Sequence, residues 1–189
     1  MAEIIQEIQD RRARRAYKES PVDRAVTERI FTAATMAPSC SNKQPWRFLV
    51  CDKDPALGKA RHALNGGNYW AKVAPVLVVV TTRDDLDCQL DDDRNYAQFD
   101  TGMAVMGLML QATREGLFAH PMAGFSPEKL REAFHIEEGT RVVTMIAIGH
   151  PGDGANLNEK HSESERSARE RKPLDEVIQW NHWSQLTPD

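Results

Sequence analysis

The longest helical pattern in the chain runs from Tyr96 to Arg114 and is apolar on two sides. One apolar stripe contains Val105, Leu108, Met109 and Ala112, and a second contains Phe99, Met103, Met106 and Leu110. A helix that is apolar on most sides is buried on most sides. We therefore expect this helix at the centre of the domain or in an interface between subunits, with Gly116 ending it as a C-cap.

The rest of the chain alternates between helical and strand patterns. Helices are expected from Ile4 into an arginine cluster, from Pro21–Asp23 to a point before Pro38, and from Pro127 to Phe134 behind a Ser126 cap. Strands are expected at Arg47–Cys51, Val76–Thr82, Leu117–Ala119 and Val142–Ile148. A turn at Asn65–Asn68, a polar loop over 149–167 and a short element at Pro173–Trp180 complete the chain. This order predicts one α+β domain over residues 1–189.

Charge and length limit the possible partners. The 24 basic and 28 acidic residues give a net charge of −4, so nothing attracts the chain as a whole to nucleic acid or to an anionic membrane. The longest apolar stretch, Gly102–Leu110, is far short of the roughly 20 residues that span a bilayer. The basic residues nevertheless form two local clusters, which predict one specific bound anion: Arg11, Arg12, Arg14 and Arg15, and Arg166, Arg169, Arg171 and Lys172.

The cysteines and acidic runs argue against structural metals and crosslinks. Three cysteines, widely spaced and without a Cys-x-x-Cys pair, argue against a disulfide framework and a thiolate zinc site. The run Asp91–Asp93 lacks the glycine and glutamate of a calcium loop, and the six histidines show no paired ligand spacing. Met1–Arg15 turns polar and basic, unlike a cleavable signal. We expect a metal-free, soluble protein of the cytoplasm.

The first segment that could bind a ligand is Arg11–Arg15, at the end of the expected opening helix. Residues four apart share a helix face, so Arg11 and Arg15 would converge on one anion while Arg14 points elsewhere. Guanidinium groups match phosphate oxygens in a bidentate way. A solvated basic patch is the alternative, because charge runs are usually solvated.

Two further segments could surround a ring-shaped ligand. In Ala37–Phe48, two prolines fix a rigid segment that carries hydroxyl and amide side chains suited to a heteroaromatic edge. In Gly116–Phe125, the small residues Ala123 and Gly124 leave backbone N–H groups open to a ligand. The alternatives are a plain connection between helix and strand for the first segment, and a glycine that merely serves a turn for the second.

Together the three segments resemble the FMN-dependent nitroreductase family. Pro38–Phe48 matches nearly all of that family's Ala-Pro-Ser-x-x-Asn-x-Gln-Pro-Trp-Arg-Phe signature, and Arg11–Arg15 is similar to its phosphate-binding Arg-x-Ser-x-Arg/Lys run. More matches follow in the family's order: Gly67–Trp70 ahead of Ala74-Pro75, Asp100–Gly102, Pro121–Phe125 and Arg169–Pro173. The resemblance covers almost the whole chain. It implies a nitroreductase-like fold, with a central mixed or antiparallel sheet flanked by helices in an intertwined homodimer.

The resemblance also implies roles for individual residues. The FMN phosphate and ribityl chain would be held by Arg11, Arg15, Arg169 and Arg171, with backbone or stem contacts from Arg12 and Ala13. Asn68 would meet the pyrimidine edge, and the segment from Pro121 would bring the Ala123 and Gly124 amides to flavin N5 and O4. The partner subunit would supply Pro38, Ser39, Cys40 and Asn42.

The chain departs from the family in three places. Ala13 replaces the usual serine, which removes one hydroxyl contact. Trp70 and Ala71 lie near the position where many members have a lysine beside flavin N1 and O2. Whether Lys72 takes the place of that lysine is left open by the sequence. The chain also lacks the helical excursion that caps the substrate pocket in longer members, which leaves the substrate open.

The resemblance therefore implies an FMN-dependent NAD(P)H oxidoreductase that reduces nitroaromatic, quinone or similar small-molecule acceptors by a ping-pong mechanism. The flavin N5 atom would carry the chemistry, so no catalytic side chain is expected; His120 could contact substrate. Alternatives on the same fold are a dehalogenase, an enal or aldehyde reductase and a flavin-cleaving enzyme. The alternative of another class is a basic-patch binding protein without redox activity, which would be colourless.

Overall fold

A four-stranded antiparallel sheet forms the centre of the protein in a computed structural model, which describes residues 4–183. The strands are β1 (Arg47–Cys51), β2 (Val76–Thr82), β3 (Phe118–Met122) and β4 (Arg141–Gly149), and their order in the sheet is β1-β2-β4-β3. The helices are α1 (Gln6–Asp10), α2 (Arg24–Thr35), α3 (Ala56–His62), α4 (Ala97–Arg114), α5 (Pro127–Phe134), α6 (Glu159–Arg166) and α7 (Leu174–Val177). The α+β prediction is confirmed, with an entirely antiparallel sheet.

The sheet has an apolar layer on each face. Val78 pairs with Ile146 and packs on one face with α2 and α4, whereas their neighbours Leu77 and Met145 pack on the other with Trp70. Side chains alternate between faces along a strand, so a strand buried on both faces becomes an apolar run. All seven residues of β2 are buried. The predicted bounds of β1 and β2 are confirmed.

Helix α4 packs against α2 through the stripe that contains Val105, Leu108 and Ala112. A Cβ on Gly107 would stand 3.0 Å from the Ala33 carbonyl oxygen, so the glycine lets the two helices approach closely. Arg29 donates two 2.8 Å hydrogen bonds to the Glu115 carboxylate at the end of α4. Gly116 follows with a φ of +73°, as expected for a C-cap glycine. None of the described helices is both long and apolar enough to cross a membrane.

The two stripes of α4 have different surroundings. The stripe residues Val105, Leu108 and Ala112 are buried, as predicted for the centre of a domain. Phe99 is 62% exposed, and the rest of its stripe (Met103, Met106 and Leu110) is only partly covered. One side of α4 therefore belongs to the core of this chain, and the other side is open.

Two local expectations were wrong. Helix α1 ends at Asp10, so Arg11–Arg15 is not helical, because five residues cannot sustain a helix without tertiary support. The polar segment 149–167 contains helix α6, which begins where the Asn158 side chain accepts the His161 N–H. The expected turn at Asn65–Asn68 is present, closed by the Asn68 N–H on the Asn65 carbonyl at 2.9 Å, and it continues as the 3-10 segment Gly66–Val73.

The cysteine expectation was also wrong. A disulfide joins Cys40, in the 3-10 turn Cys40–Asn42, to Cys88, which follows the 3-10 turn Asp84–Leu86; Cys51 is buried and free. The two bonded cysteines are 48 residues apart in sequence. Sequence spacing alone could not show that these two loops meet.

Candidate functional site

Four guanidinium groups form an arginine cluster, defined here as Arg11, Arg12, Arg169 and Arg171. Burial, followed by repulsion from Arg169 and Arg171, lowers the pKa of Arg11. Burial and repulsion from Arg14 and Arg169 likewise lower the pKa of Arg12. Groups that disfavour each other's charge in this way favour an anion placed between them.

Arg169 supports the cluster from below through the main chain. Its Nη1 atom donates to the Ile8 carbonyl at 3.0 Å, and its Nη2 atom donates to the carbonyls of Gln9, at 2.8 Å, and Arg11. These bonds satisfy carbonyls at the end of α1 and fix the path of the chain into the cluster. Arg171 is exposed and available to a ligand. The Arg169 guanidinium is thus already hydrogen-bonded to the main chain, whereas the Arg171 guanidinium is exposed to solvent.

Glu165 on α6 pairs with the arginine segment. Its carboxylate accepts the Arg15 N–H at 2.6 Å and lies 3.7 Å from the Arg14 guanidinium. Arg14 is therefore paired within the chain, and the helix geometry from which we predicted that it points away from the anion is absent. The Arg15 guanidinium instead lies over the Trp70 ring, 5.7 Å from its centroid.

His120 connects the arginine segment to the sheet. Its Nδ1 atom lies 2.9 Å from the Arg14 carbonyl oxygen, and its ring packs 4.6 Å from Trp70. Burial lowers the pKa of His120 to about 4. The imidazole is thus neutral near pH 7, and because the carbonyl can only accept, Nδ1 carries the proton. The Trp70 Nε1 atom is buried and makes no hydrogen bond within residues 4–183.

Asn68 and Gly124 form a second contact region, the Asn68–Gly124 cradle. The Asn68 Nδ2 atom donates to the Gly124 carbonyl at 2.9 Å, and a Cβ on Gly124 would stand 2.8 Å from the same nitrogen. Gly124 is therefore needed for close approach rather than for a left-handed turn. Ala123 is exposed beside it, and Pro121 lies on the edge strand β3, where a missing N–H costs little. Lys72 is exposed.

The segment from Pro38 to Asn42 lies apart from these groups in one chain. Ser41, Asn42 and Gln44 have φ values of 48°, 55° and 52°, and the Ser39 hydroxyl accepts the Gln44 N–H at 2.9 Å. Within residues 4–183, the bonds that tie Cys40 to other elements run to Cys88 and to Asp100 at the start of α4. Within the described residues, the segment from Pro38 to Asn42 thus has no hydrogen bond to the arginine cluster or to the cradle.

The sequence analysis missed Glu165 and the packing of Trp70 on His120. Asn158, three residues ahead of His161, is the signal that could have revealed α6 and thus placed Glu165 on a helix. No local signal indicates that Trp70 packs against His120, since the two residues lie on separate elements.

The structure is an α+β protein in which a guanidinium cluster forms where the segment after α6 meets the end of α1. The chain belongs to the Nitroreductase family, whose profile matches residues 8–64 and 53–150.

Solved structures and relatives agree with this assignment. A crystal structure described as an oxidoreductase containing FMN superposes with a TM-score of 0.87 and 32% identity, covering 97% of this chain and 94% of the other. An NADH dehydrogenase of Thermus thermophilus is 28% identical over 90% of this chain and 92% of its own length. An iodotyrosine deiodinase of Haliscomenobacter hydrossis is 27% identical over 82% of each chain.

Proposed function

We propose that this protein is an FMN-dependent NAD(P)H oxidoreductase that reduces small-molecule acceptors. The observation that carries the proposal is the arginine cluster, whose members disfavour each other's charge in the absence of an anion. The FMN phosphate is such an anion, and the similar oxidoreductase of known structure contains FMN. A solvated basic patch would not bring Arg11 close to Arg169, 158 residues away in sequence.

The residues present fit this cofactor. Arg11, Arg12, Arg15 and Arg171 would hold the phosphate and ribityl chain, while Arg169 would position the main chain beneath them. The cradle would meet the flavin ring, with Asn68 held in place by its 2.9 Å hydrogen bond to the Gly124 carbonyl. Ala13 offers no hydroxyl, so the guanidiniums carry more of the phosphate binding than in members with a serine.

The chain contributes binding and electrostatics. FMN, when bound, supplies the two-electron chemistry at its N5 atom, and the small residue Ala123 leaves space for a substrate to approach. His120 stays neutral because it is buried among Arg11 and Arg15, so it adds no positive charge to the cluster. We expect NAD(P)H and the acceptor to occupy the same site in turn, which gives ping-pong kinetics.

Homodimerisation is part of the proposal. The open stripe of α4 exposes 62% of Phe99, and the end of the described chain exposes Leu174, Trp180 and Trp183. Contiguous exposed apolar surface marks protein interfaces, and we infer that these side chains contribute to one. In an intertwined dimer, Pro38, Ser39, Cys40 and Asn42 of one chain would complete the cofactor site of the other.

The acceptor class has two candidates. Nitroaromatics and quinones are the first, since the family is the Nitroreductase family. An aryl halide is the second, because the similarity to the Haliscomenobacter deiodinase extends over 181 residues. A panel of nitroaromatics, quinones and halogenated phenols, assayed with NADH and with NADPH, separates the two.

The spectrum of the purified protein tests the cofactor. We expect absorbance near 450 nm and release of FMN, not FAD, on heating. The matched variants are Arg11→Ala, in the cluster, and Arg166→Ala, an exposed arginine on α6. A wild-type protein that stays colourless after incubation with excess FMN would refute the proposed function.

A further inference from the structure

Three potential metal ligands from two separate loops meet beside the long helix α4. Cys40 comes from the 3-10 turn after α2, and Asp87 and Cys88 follow the 3-10 turn after β2. The two sulfurs and a carboxylate oxygen of Asp87 all lie within 4.8 Å of one another. In the structure the sulfurs are joined as a disulfide. We call these three residues the Cys40–Asp87–Cys88 group.

Asp87 has an unsatisfied oxygen that points to a ligand. The residue is only 5% exposed, and its Oδ1 atom accepts the Cys88 N–H at 2.7 Å. Its Oδ2 atom is buried and makes no hydrogen bond to any other described residue. The Asp100 carboxyl lies next to it, and a buried pair of carboxyl groups requires a shared proton or a cation.

The surrounding charges also favour a cation. The carboxyl groups of Asp87 and Asp100 lie in hydrogen-bonding contact, and the Lys43 ammonium lies nearby. Asp100 is 1% exposed and accepts the Cys40 N–H at 2.7 Å. Two buried carboxyl groups therefore face this position, opposed by the ammonium of Lys43.

We propose that the Cys40–Asp87–Cys88 group, once its disulfide is reduced, binds a thiophilic divalent cation of the Zn²⁺ type. Thiolate sulfur and carboxylate oxygen are preferred zinc ligands, and bonds of about 2.3 Å to sulfur and about 2.0–2.2 Å to oxygen fit ligand atoms within this separation. Water or Asp100 would complete the coordination.

The chemistry balances without an unnamed reactant. Two equivalents of a low-molecular-weight thiol break the bond between the sulfurs, leave as their own disulfide, and give each cysteine one proton and one electron. The incoming Zn²⁺ displaces the two thiol protons, so binding strengthens as the pH rises. The bound cation would then tie the Cys40 loop to the Cys88 loop, as the disulfide does in the oxidised protein.

The test uses the full chain and does not depend on flavin binding. The protein is reduced with 2-mercaptoethanol, freed of it by gel filtration without oxygen, and shown to have all three thiols free in denaturant. Titration with Co²⁺ should then produce a near-ultraviolet thiolate-to-cobalt band that saturates at one ion per chain and disappears when Zn²⁺ is added. The oxidised protein should give no band.

Matched variants identify the ligands. Asp87→Asn should weaken Zn²⁺ binding at least about tenfold, since even residues outside the ligand set commonly contribute that much. Asp91→Asn, at an exposed carboxylate, should bind as the wild type does, as should Cys51→Ser. Cys40→Ser should give no cobalt band while retaining its far-ultraviolet circular dichroism. Absence of a band in the fully reduced wild type overturns the proposal, as does unchanged affinity in Asp87→Asn or Cys40→Ser.

Discussion

The Asn68 side chain occupies the space that a side chain on Gly124 would need. Its Nδ2 atom donates to the Gly124 carbonyl at 2.9 Å and would lie 2.8 Å from a Cβ on the same residue. The contact joins the segment after α3 to the segment after β3, two regions 56 residues apart. The floor of the proposed cofactor site is therefore formed by two loops that fit only if one residue is glycine.

Gly124→Ala should lower both stability and FMN affinity. The added methyl must displace Asn68, and overpacking of this kind costs about 1–3 kcal/mol. Thermal unfolding and FMN titration measure the two effects. Gly66→Ala is the control, because a Cβ there meets nothing within 4 Å. An unchanged Tm and Kd for Gly124→Ala would show that the cradle adapts without cost.

Arg11→Ala and Arg171→Ala should each weaken FMN binding at least about tenfold, since hydrogen bonds to charged groups contribute roughly 1.5–3 kcal/mol. Arg14→Ala should change the FMN Kd little, because Arg14 is paired with Glu165. Fluorescence titration gives all three dissociation constants. If Arg14 were the costliest position, the assignment of the cluster would be wrong.

The stability of the protein should fall as the pH decreases from about 6.5 towards 4. The pKa of His120 is lowered from 6.5 to about 4 by burial, so between these values the unfolded chain binds a proton that the folded chain does not. The stabilisation present above pH 6.5 is therefore lost on acidification, by up to roughly 3 kcal/mol for this group. Urea unfolding at pH 7 and pH 4.5 measures the loss.

His120→Asn should reduce this pH dependence, because asparagine does not titrate. His135→Asn is the matched control, since asparagine tolerates the left-handed backbone found at His135, with a φ of 52°. Groups that titrate in all three proteins contribute equally to each and cancel in the comparison. An equal dependence of the free energy of unfolding on pH in the wild type and in His120→Asn would assign the acid sensitivity to other groups.

FMN binding and dimerisation should be linked. If Asn42 completes the site of the partner, FMN should raise the Tm and oppose dissociation on dilution. Mixing an Arg11→Ala, Arg15→Ala double variant with an Asn42→Ala variant should restore activity, because the heterodimer contains one intact site. No recovery after demonstrated subunit exchange would place the whole site in one chain.

Local patterns predicted the elements that depend on local sequence. The bounds of β2 follow from its run of β-branched residues, and α4 follows from its two periodic stripes. Helix α5 has a serine cap and a proline at its start, and both are visible in the sequence.

Contacts between distant segments account for the errors. Arg169 donates hydrogen bonds to carbonyls at the end of α1, 158 to 161 residues away, and no periodicity within Arg11–Arg15 can reveal that. The pairing of Cys40 with Cys88 is equally remote. The residue types of the proposed site were predicted from the sequence. The backbone conformation that positions those residues depends on contacts between distant segments and was not.

Nearly every residue assigned to the proposed site lies on a connection between helices and strands, and Pro121 lies on an edge strand. The interior pairing of β2 with β4 takes no part in it. Evolution can therefore alter the size and polarity of the substrate region, one loop at a time, with little penalty to folding. The names of two relatives, a dehydrogenase and a deiodinase, are consistent with a constant sheet that carries variable loops.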